Sequence, residues 1–321
     1  MSIIEKAVQR LDRLKSAAAD GSEAPPPGAA EAAPTLPGKS QAPTARQAVD
    51  ARAATPQPAA PAVARPAAKS IRIDLARLAA RGMVTPDQPR SAIAEEFRLI
   101  KRPLLRNATL EGEVAIENGN LIMVTSALPS EGKTFNAINL AVSMAMELDY
   151  TVLLVDADVS RPSVLRDLGL PPQAGLMDVL AGDVTDLSEV LLKTNIDKLS
   201  ILPAGMPHQR ATELLASEAM TSLLEQMAHR YADRIIVFDS PPLLVTTESR
   251  VLATHMGQVV LVVEAERTTH SQVRQALATI DSCPIRLMVL NKGRERSVGG
   301  YYGYGYGYGY GNAQESKPET A

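Results

Sequence analysis

The residues of this sequence best suited to chemistry are a lysine and a threonine that follow a short loop. The loop, Ala127 to Gly132, lies between an apolar run that ends at Ser126 and a helical stretch that continues to Met146. Backbone N–H groups at a helix N-terminus bind phosphate, a lysine there reaches the β and γ phosphates, and a hydroxyl is a ligand for magnesium. Lys133 and Thr134 therefore predict a phosphate-binding loop for Mg²⁺ and ATP. The predicted nucleotide-binding residues are Pro129, Ser130, Glu131, Gly132, Lys133, Thr134 and Phe135.

The first position of this loop departs from the usual pattern, because Ala127 stands where a glycine is common. A left-handed backbone at that position would cost alanine about 1 kcal/mol or more. We therefore expect a variant loop in which Ala127 avoids that conformation.

Three aspartates follow two later apolar runs. Asp156 and Asp158 come after Thr151 to Val155, and Asp239 comes after Arg234 to Phe238. Carboxylates at i and i+2 of extended backbone point to the same side, so the first two can share one site. Beside Mg²⁺ and ATP, one of them would hold the metal or its waters and the other would accept the proton of an attacking hydroxyl, with Asp239 as a further candidate near magnesium. The alternatives are a solvated turn after the first run and a turn capped by Asp239.

Beyond Leu121, apolar runs of strand length alternate with helical stretches. The runs span residues 121–126, 151–155, 199–202, 234–239, 258–264 and 285–291. Runs rich in Val, Ile and Leu, without polar alternation, are typical of strands buried on both faces. We predict an α/β fold with a mostly parallel central sheet flanked by helices. Such sheets bind ligands at the carboxyl ends of their strands, where the candidate residues lie.

The composition divides the chain into four predicted segments. They are an N-terminal amphipathic helix at residues 1–15, a disordered Ala/Pro-rich linker at 16–70, a folded domain at 71–293 and a flexible Tyr/Gly-rich tail at 294–321. The linker has too few bulky apolar residues to offset its chain entropy. The apolar face of the first helix could pack on its own domain, on a partner or on a membrane surface, and the sequence leaves these alternatives open.

Six of the eight tyrosines of the chain lie in the last segment, where Gly and Tyr alternate. They are Tyr301, Tyr302, Tyr304, Tyr306, Tyr308 and Tyr310. A Gly/Tyr repeat offers mobile hydroxyl groups that a phosphate-transferring enzyme can draw into its site. The alternative is a low-complexity aromatic segment that only self-associates.

Charge and cysteine content exclude several classes of protein. A formal charge of −3 over 321 residues gives no sign of a protein that coats nucleic acid. The single cysteine, Cys283, cannot form an internal disulfide, and no apolar run approaches the roughly 18 residues of a bilayer span. The N-terminus also lacks the pattern of a signal peptide. We therefore expect a cytoplasmic protein without a nucleic-acid partner.

Three motifs, in this order and spacing, resemble those of the bacterial tyrosine kinases that regulate capsule and exopolysaccharide assembly. They are A-x-P-x-E-G-K-T at 127–134, L-L-V-D-x-D-x-x-R at 153–161 and I-I-V-F-D-S-P-P at 235–242. The resemblance implies a P-loop NTPase fold of the MinD/ParA-like deviant Walker type. It implies that Lys133 and Thr134 bind Mg²⁺ and ATP, that Asp156 and Asp158 serve catalysis and the metal, and that Asp239 completes the metal site. The implied reaction is phosphorylation of the C-terminal tyrosines between subunits.

The Pro/Ala-rich leader and the stretch from Ile71 to Asp87 look most like the stand-alone autokinases encoded with exosortase-linked exopolysaccharide loci. Relatives of that form lack membrane spans and are activated by a separate membrane chain-length regulator. The resemblance therefore implies recruitment to the inner membrane through such a partner, together with a tyrosine phosphatase that reverses the reaction.

Glu95, Arg98 and Lys101 fall where the same family carries E-x-x-R-x-x-R, on a helix expected from Ser91 to Leu105. In the family this helix docks into the nucleotide site of a neighbouring subunit and builds a ring, which implies a homo-oligomer here. Lys101 departs from the pattern, since lysine lacks the planar fork with which arginine makes bidentate contacts. The alternative is a charged, solvated helix face.

Two other functions compete with the kinase. A MinD/ParA-like ATPase switch would share this sheet, but such proteins usually carry a second lysine where this chain has Leu128, and they lack a tyrosine cluster. The other competitor is an interaction protein with a decayed site that binds ATP and signals by assembly. The intact Lys133, Thr134 and three aspartates argue against decay.

Overall fold

The computed structural model describes residues 69–230 and 234–293, in which helices and strands alternate along the chain. The strands are β1 (Lys69–Ser70), β2 (Leu121–Ser126), β3 (Thr151–Asp156), β4 (Leu192–Lys193), β5 (Leu199–Leu202), β6 (Arg234–Asp239), β7 (Gln258–Glu264) and β8 (Ile285–Asn291). The α-helices are α1 (Leu75–Ala80), α2 (Ala92–Ala108), α3 (Lys133–Ala145), α4 (Val164–Leu168), α5 (Leu176–Ala181), α6 (Ala211–Leu215), α7 (Glu218–Arg230), α8 (Glu248–Ala253) and α9 (His270–Ala278).

The strands form one sheet in the order β1-β4-β5-β3-β6-β2-β7-β8. Neighbouring strands are parallel except for β4 and β5, which pair antiparallel. The prediction of a mostly parallel α/β sheet is thereby confirmed. Because β3, β6 and β2 are adjacent and parallel, their carboxyl ends meet at one edge, and the register places Asp156 opposite Asp239.

Alternate residues of the central strands enter two different cores, which explains why these strands are apolar without interruption. Ile122 and Val124 of β2 pack with α2 and α3 on one face of the sheet. Leu121 and Met123 of the same strand pack with α5, α7, α8 and α9 on the other face. The sheet is therefore covered by helices on both faces, as predicted from the sequence.

The structure also contains elements that the apolar pattern did not reveal. The two-residue strands β1 and β4 pair with each other at one end of the sheet, and two residues are too few to show any periodicity. Helix α2 continues to Ala108, three residues beyond the expected end, although Pro103 lies inside it.

Among the helices of residues 69–230 and 234–293, none combines the length and apolar character needed to cross a bilayer. The predicted N-terminal helix, most of the linker and the tyrosine-rich tail lie outside the residues that the structure describes. The division of the chain into four segments therefore stays a prediction.

Candidate active site

The loop between β2 and α3 has the conformation of an anion-binding turn at the start of a helix. Gly132 precedes α3 with φ 100°, and Ser130 has φ 69°, so both lie in the left-handed region. Ala127 is fully buried and is not among the residues with positive φ. The expectation that Ala127 avoids the left-handed conformation is confirmed, and the loop places that conformation at Ser130 and Gly132 instead.

Lys133 lies at the centre of the acidic cluster. Its Nζ donates to Asp158 Oδ2 at 2.6 Å and lies 4.0 Å from Asp239 Oδ1. Burial lowers the pKa of Lys133, but the negative charges of Asp239, Asp158 and Asp156 outweigh burial and leave its pKa above the usual value. The lysine therefore stays charged and is held among the three carboxylates.

Thr134 connects the start of α3 to the end of β6. Its Oγ1 donates to Asp239 Oδ2 at 2.6 Å and lies 2.8 Å from the hydroxyl of Ser163. Ser163 was not among the residues predicted for this site. Its position directly before the short helix α4 is typical of a helix cap, but nothing in the sequence indicated that it lies beside Thr134.

Asp156 and Asp239 end adjacent strands, and each carries one oxygen without a hydrogen-bond partner. Asp156 Oδ2 accepts from the backbone N–H groups of Ser163 and Val164, both at 3.0 Å. The other oxygen of each aspartate is buried and makes no hydrogen bond. Burial and then the charge of Asp239 raise the pKa of Asp156 to about 7. Burial also raises the pKa of Asp239 to about 6, against the opposing effects of Lys133 and Thr134.

These two oxygens without a hydrogen bond fit a cation that arrives with the phosphates of a nucleotide. Buried carboxylate oxygens and a threonine hydroxyl are hard oxygen ligands of the kind that magnesium or its waters prefer. In the described part of the chain, no group of three or more His, Cys, Asp or Glu side chains is arranged to hold a metal ion by itself. The three predicted magnesium residues do come together. Thr134 donates to Asp239, and Asp156 lies opposite Asp239 on the adjacent strand.

A cavity of about 510 Å³ opens in front of Lys133 and Thr134. The nucleotide-binding residues predicted from the sequence that line it are Pro129, Ser130, Gly132, Lys133, Thr134 and Phe135. Three residues of the quoted motifs that were given no role of their own, Arg161, Pro241 and Pro242, also line it. The remaining lining residues include some that were not predicted from the sequence, namely Ser160, Ser163, Arg166, Asp167, Val245 and Thr246. A volume of this size is within the usual range for small-molecule sites.

Glu131 differs from the other predicted nucleotide-binding residues. Its side chain is only 1% exposed and turns into the protein, where one oxygen accepts from Leu128 N at 2.7 Å and the other from the hydroxyl of Thr268. Both carboxylate oxygens of Glu131 are therefore hydrogen-bonded inside the protein, and the residue does not line the cavity.

The three residues expected at a subunit contact do not share one surface. On α2, Glu95 is exposed and Arg98 half-buried, and the two side chains form an ion pair. Lys101 is 4% exposed, and its Nζ donates to Ser143 O at 2.5 Å and pairs with Glu147 at 2.7 Å. This corrects the expected surface position of Lys101, which falls on the buried stripe of α2 with Ala94, Phe97 and Leu104. The tyrosines at 301–310 lie outside the described residues.

Comparisons with known proteins identify the family of this chain. Residues 120–289 match the AAA domain family. The tyrosine-protein kinase YwqD of Bacillus subtilis is 30% identical over 227 residues, which are 70% of this chain and 92% of YwqD. The succinoglycan biosynthesis transport protein ExoP of Rhizobium meliloti is 33% identical over 223 residues, which are 68% of this chain and 27% of ExoP.

The fold has a solved counterpart in the kinase domain of Escherichia coli tyrosine kinase ETK. The two structures share a TM-score of 0.58 at 27% identity, with 70% of this chain and 86% of that chain covered. The family match covers more than half of the chain, and the alignment with YwqD extends over nearly all of that enzyme. The chain therefore belongs to the AAA domain family and, within it, to the bacterial tyrosine-protein kinases.

Proposed function

We propose that this protein is an ATP-dependent tyrosine autokinase that phosphorylates the C-terminal tyrosines of a neighbouring subunit. The observation that carries the proposal is the cluster at the carboxyl ends of β2, β3 and β6, where Lys133 is held by Asp158 and Thr134 is held by Asp239. It occurs in a chain whose residues 301–310 include six tyrosines.

In this proposal ATP binds with its phosphates at residues 129–134. Thr134, Asp156 and Asp239 would hold magnesium, which would supply positive charge against the charge that develops on the transferred phosphate. Two observations support this arrangement: the unpartnered oxygens of the two aspartates and the backbone of the loop, which is turned into left-handed conformations at Ser130 and Gly132. Burial has already raised the pKa of both aspartates, so a cation would stabilise their charged forms.

Lys133 changes partner when ATP binds. Its Nζ is paired with Asp158 Oδ2 in the described structure, and the phosphate oxygens compete for the same ammonium group. Once Lys133 contacts phosphate, Asp158 Oδ2 is free to accept the proton of a tyrosine hydroxyl. The phenolic oxygen then bonds to the γ phosphorus while the bond from that phosphorus to the β–γ bridging oxygen breaks, which yields phosphotyrosine and ADP.

The proposal includes a ring of subunits. Glu95 and Arg98 on the outer face of α2 support a contact with the nucleotide site of a neighbour, because both side chains reach the surface. Each phosphotyrosine adds about 1.5 to 2 negative charges, so accumulated phosphates would repel one another and separate the subunits.

We place the reaction in the regulation of exopolysaccharide polymerisation and export, on the likeness to ExoP, which is named for succinoglycan biosynthesis transport. In this setting the protein is cytoplasmic and is recruited to the inner membrane by a chain-length regulator that activates it. A tyrosine phosphatase reverses the modification. Kinship with the exosortase-linked group stays a prediction from the sequence.

Labelled ATP tests the proposal directly. The full-length protein is incubated with ATP labelled at the γ phosphate and Mg²⁺, with a candidate membrane activator present, and phosphotyrosine is measured after acid hydrolysis. We expect phosphotyrosine in the wild type and a loss of at least about a hundredfold in Lys133→Met and in a variant with all six tail tyrosines changed to Phe. Tyr150→Phe, which alters a tyrosine of the folded domain, is the matched control. Release of free phosphate without phosphotyrosine would identify the ATPase switch instead.

A further inference from the structure

Side chains at or just beyond the carboxyl ends of β7 and β8 contact the phosphate-binding loop. We propose that Glu131, Thr268, Asn291 and Lys292, here named the loop clamp, are positioning residues that preset this loop for the phosphates of a nucleotide. The inference rests on the proposed binding of ATP at the loop. Thr268, Asn291 and Lys292 were not predicted as site residues and are here given a positioning role. Glu131, which was predicted to bind the nucleotide, is given a positioning role instead.

The loop clamp makes hydrogen bonds to the backbone of the loop at Leu128, Ser130 and Glu131. Asn291 Nδ2 donates to Glu131 O at 2.8 Å, and Lys292 Nζ donates to Ser130 O at 2.8 Å. The Glu131 carboxylate closes the loop on itself by accepting from Leu128 N at 2.7 Å, and its other oxygen accepts from the Thr268 hydroxyl. Asn291 and Lys292, more than 130 positions away in sequence, therefore hold the C-terminal half of the loop directly, and Thr268 reaches the N-terminal half only through the Glu131 side chain.

A loop that presents N–H groups to an anion needs such support. When successive N–H groups converge on phosphate, the carbonyl groups of the same peptides point away and need donors of their own. Asn291 and Lys292 supply those donors to the two carbonyls just before Gly132. The left-handed backbone of Ser130, which a non-glycine residue adopts only at a cost, also needs surrounding contacts to hold it.

The fit between Gly132 and Asn291 indicates a built contact. A Cβ atom added at Gly132 would lie 2.0 Å from Asn291 Nδ2, so the amide occupies the space that the missing side chain leaves. Gly132 is thus needed for its φ of 100° and also for the close approach of Asn291.

The lysine of the loop clamp is itself anchored. Lys292 Nζ lies 3.3 Å from Glu264 Oε1, and Arg267 pairs with the same carboxylate at 3.0 Å. Although desolvation opposes it, hydrogen bonds from Lys292 and Arg267 lower the pKa of Glu264 and keep it charged. The ends of β7 and β8 therefore act together on the loop.

Isosteric variants of the full-length protein test the inference, with a fluorescent ADP analogue and Mg²⁺ as the binding probe. Thr268→Val removes the hydroxyl at constant volume, and Thr268→Ser keeps it. Asn291→Asp replaces a donor with an acceptor beside the Glu131 carbonyl. Met288→Ala, at an exposed position of the same strand, is the matched control.

We expect Thr268→Val and Asn291→Asp to raise the Kd of the probe and the KM for ATP about tenfold, because each removes a hydrogen bond on which the loop conformation depends. Thr268→Ser and Met288→Ala should stay within about twofold, and kcat at saturating ATP should stay within about threefold in all four. The unfolding temperature of Thr268→Val should fall by only a few degrees, the cost of one lost hydrogen bond to the buried Glu131 carboxylate, so the variant should still fold.

Wild-type Kd and KM in a folded Thr268→Val would overturn the inference, and so would a lowered kcat with an unchanged Kd. Should Asn291→Asp fail to fold, the pair at Thr268 decides alone. A wild type that binds the probe but never forms phosphotyrosine would contradict the proposed kinase reaction, while the Kd values would still test the loop clamp.

Discussion

The two aspartates at the ends of β3 and β6 destabilise the protein when no cation is bound. Each is buried with one unpartnered oxygen, and Asp156 faces Asp239 across neighbouring strands. Burial disfavours the ionised form of each aspartate and raises its pKa, and the charge of Asp239 adds to this effect at Asp156. The residues that make the site reactive are therefore also those that weaken the fold around it, and nucleotide with magnesium would relieve both effects.

Asp156→Asn should therefore make the nucleotide-free protein more stable while abolishing phosphotyrosine formation. Asparagine keeps an oxygen that can accept from Ser163 N and Val164 N but carries no charge. We expect the unfolding temperature to rise by several degrees at about pH 8 without Mg²⁺ or nucleotide, measured by differential scanning fluorimetry.

This gain should shrink as the pH falls. The pKa of Asp156 is about 7 in the folded protein and 3.8 in its ordinary state, so between these values the folded protein binds more protons than the unfolded chain. Stability from this group is therefore lost as the pH rises through that interval. The difference between variant and wild type should be largest near pH 8 and small near pH 5. Asp183→Asn, at an exposed position, serves as the control, and a wild type more stable than Asp156→Asn at pH 8 would contradict the argument.

At the scale of helices and strands, the sequence predicted what depends on long apolar runs and local motifs. The strands β2, β3, β6 and β7 were found because they are apolar runs buried on both faces, whereas β8 lies at the sheet edge, exposes Met288 and Leu290, and was found because these exposed positions are apolar too. The loop before α3 was found because Lys133 and Thr134 follow a strand and start a helix. The approach of Asp156 to Asp239 followed from the rule that parallel strands end at the same edge.

Contacts made through tertiary packing could not be predicted in this way. Ser163 reaches Thr134 only because the residues after β3 fold back over the strand end. The inward turn of Glu131 depends on Thr268, which is 137 positions away. The family motif placed Lys101 at a subunit contact, whereas in the fold its side chain is buried and donates to Ser143 O on α3.

On α2, Lys101 is therefore expected to stabilise the fold, whereas Glu95 and Arg98 form the proposed subunit contact. Lys101→Met should remove a cation from the last turn of α3, where it donates to Ser143 O, and so lower the stability by about 1 to 2 kcal/mol. Arg98→Ala should leave the unfolding temperature nearly unchanged but shift the oligomer to smaller species. Thermal unfolding and light scattering measure the two effects, and a Lys101→Met protein that keeps full stability but loses the oligomer would reverse the assignment.

At the scale of the whole molecule, the length of the chain after β8 limits how far the tyrosines can reach. Lys292 is fixed at the phosphate-binding loop, and Tyr301 follows nine positions later. Nine extended residues reach about 30 Å, and the 18 positions to Tyr310 reach about 60 Å. A folded domain of this size is about 45 Å across, so the chain length permits transfer to the same subunit or to a neighbour.

A mixture of two inactive proteins distinguishes these routes. One carries Lys133→Met with an intact tail, so it can accept phosphate but has lost the group that contacts the phosphates. The other has an intact site but phenylalanine at all six tail tyrosines, so it can transfer phosphate but cannot accept it. We expect neither to form phosphotyrosine alone, and the mixture to label the Lys133→Met chain at a rate that rises with the concentration of the active partner. If the wild type forms phosphotyrosine and the mixture does not, transfer occurs within one subunit, because the only intact site and the only intact acceptor are then on different chains.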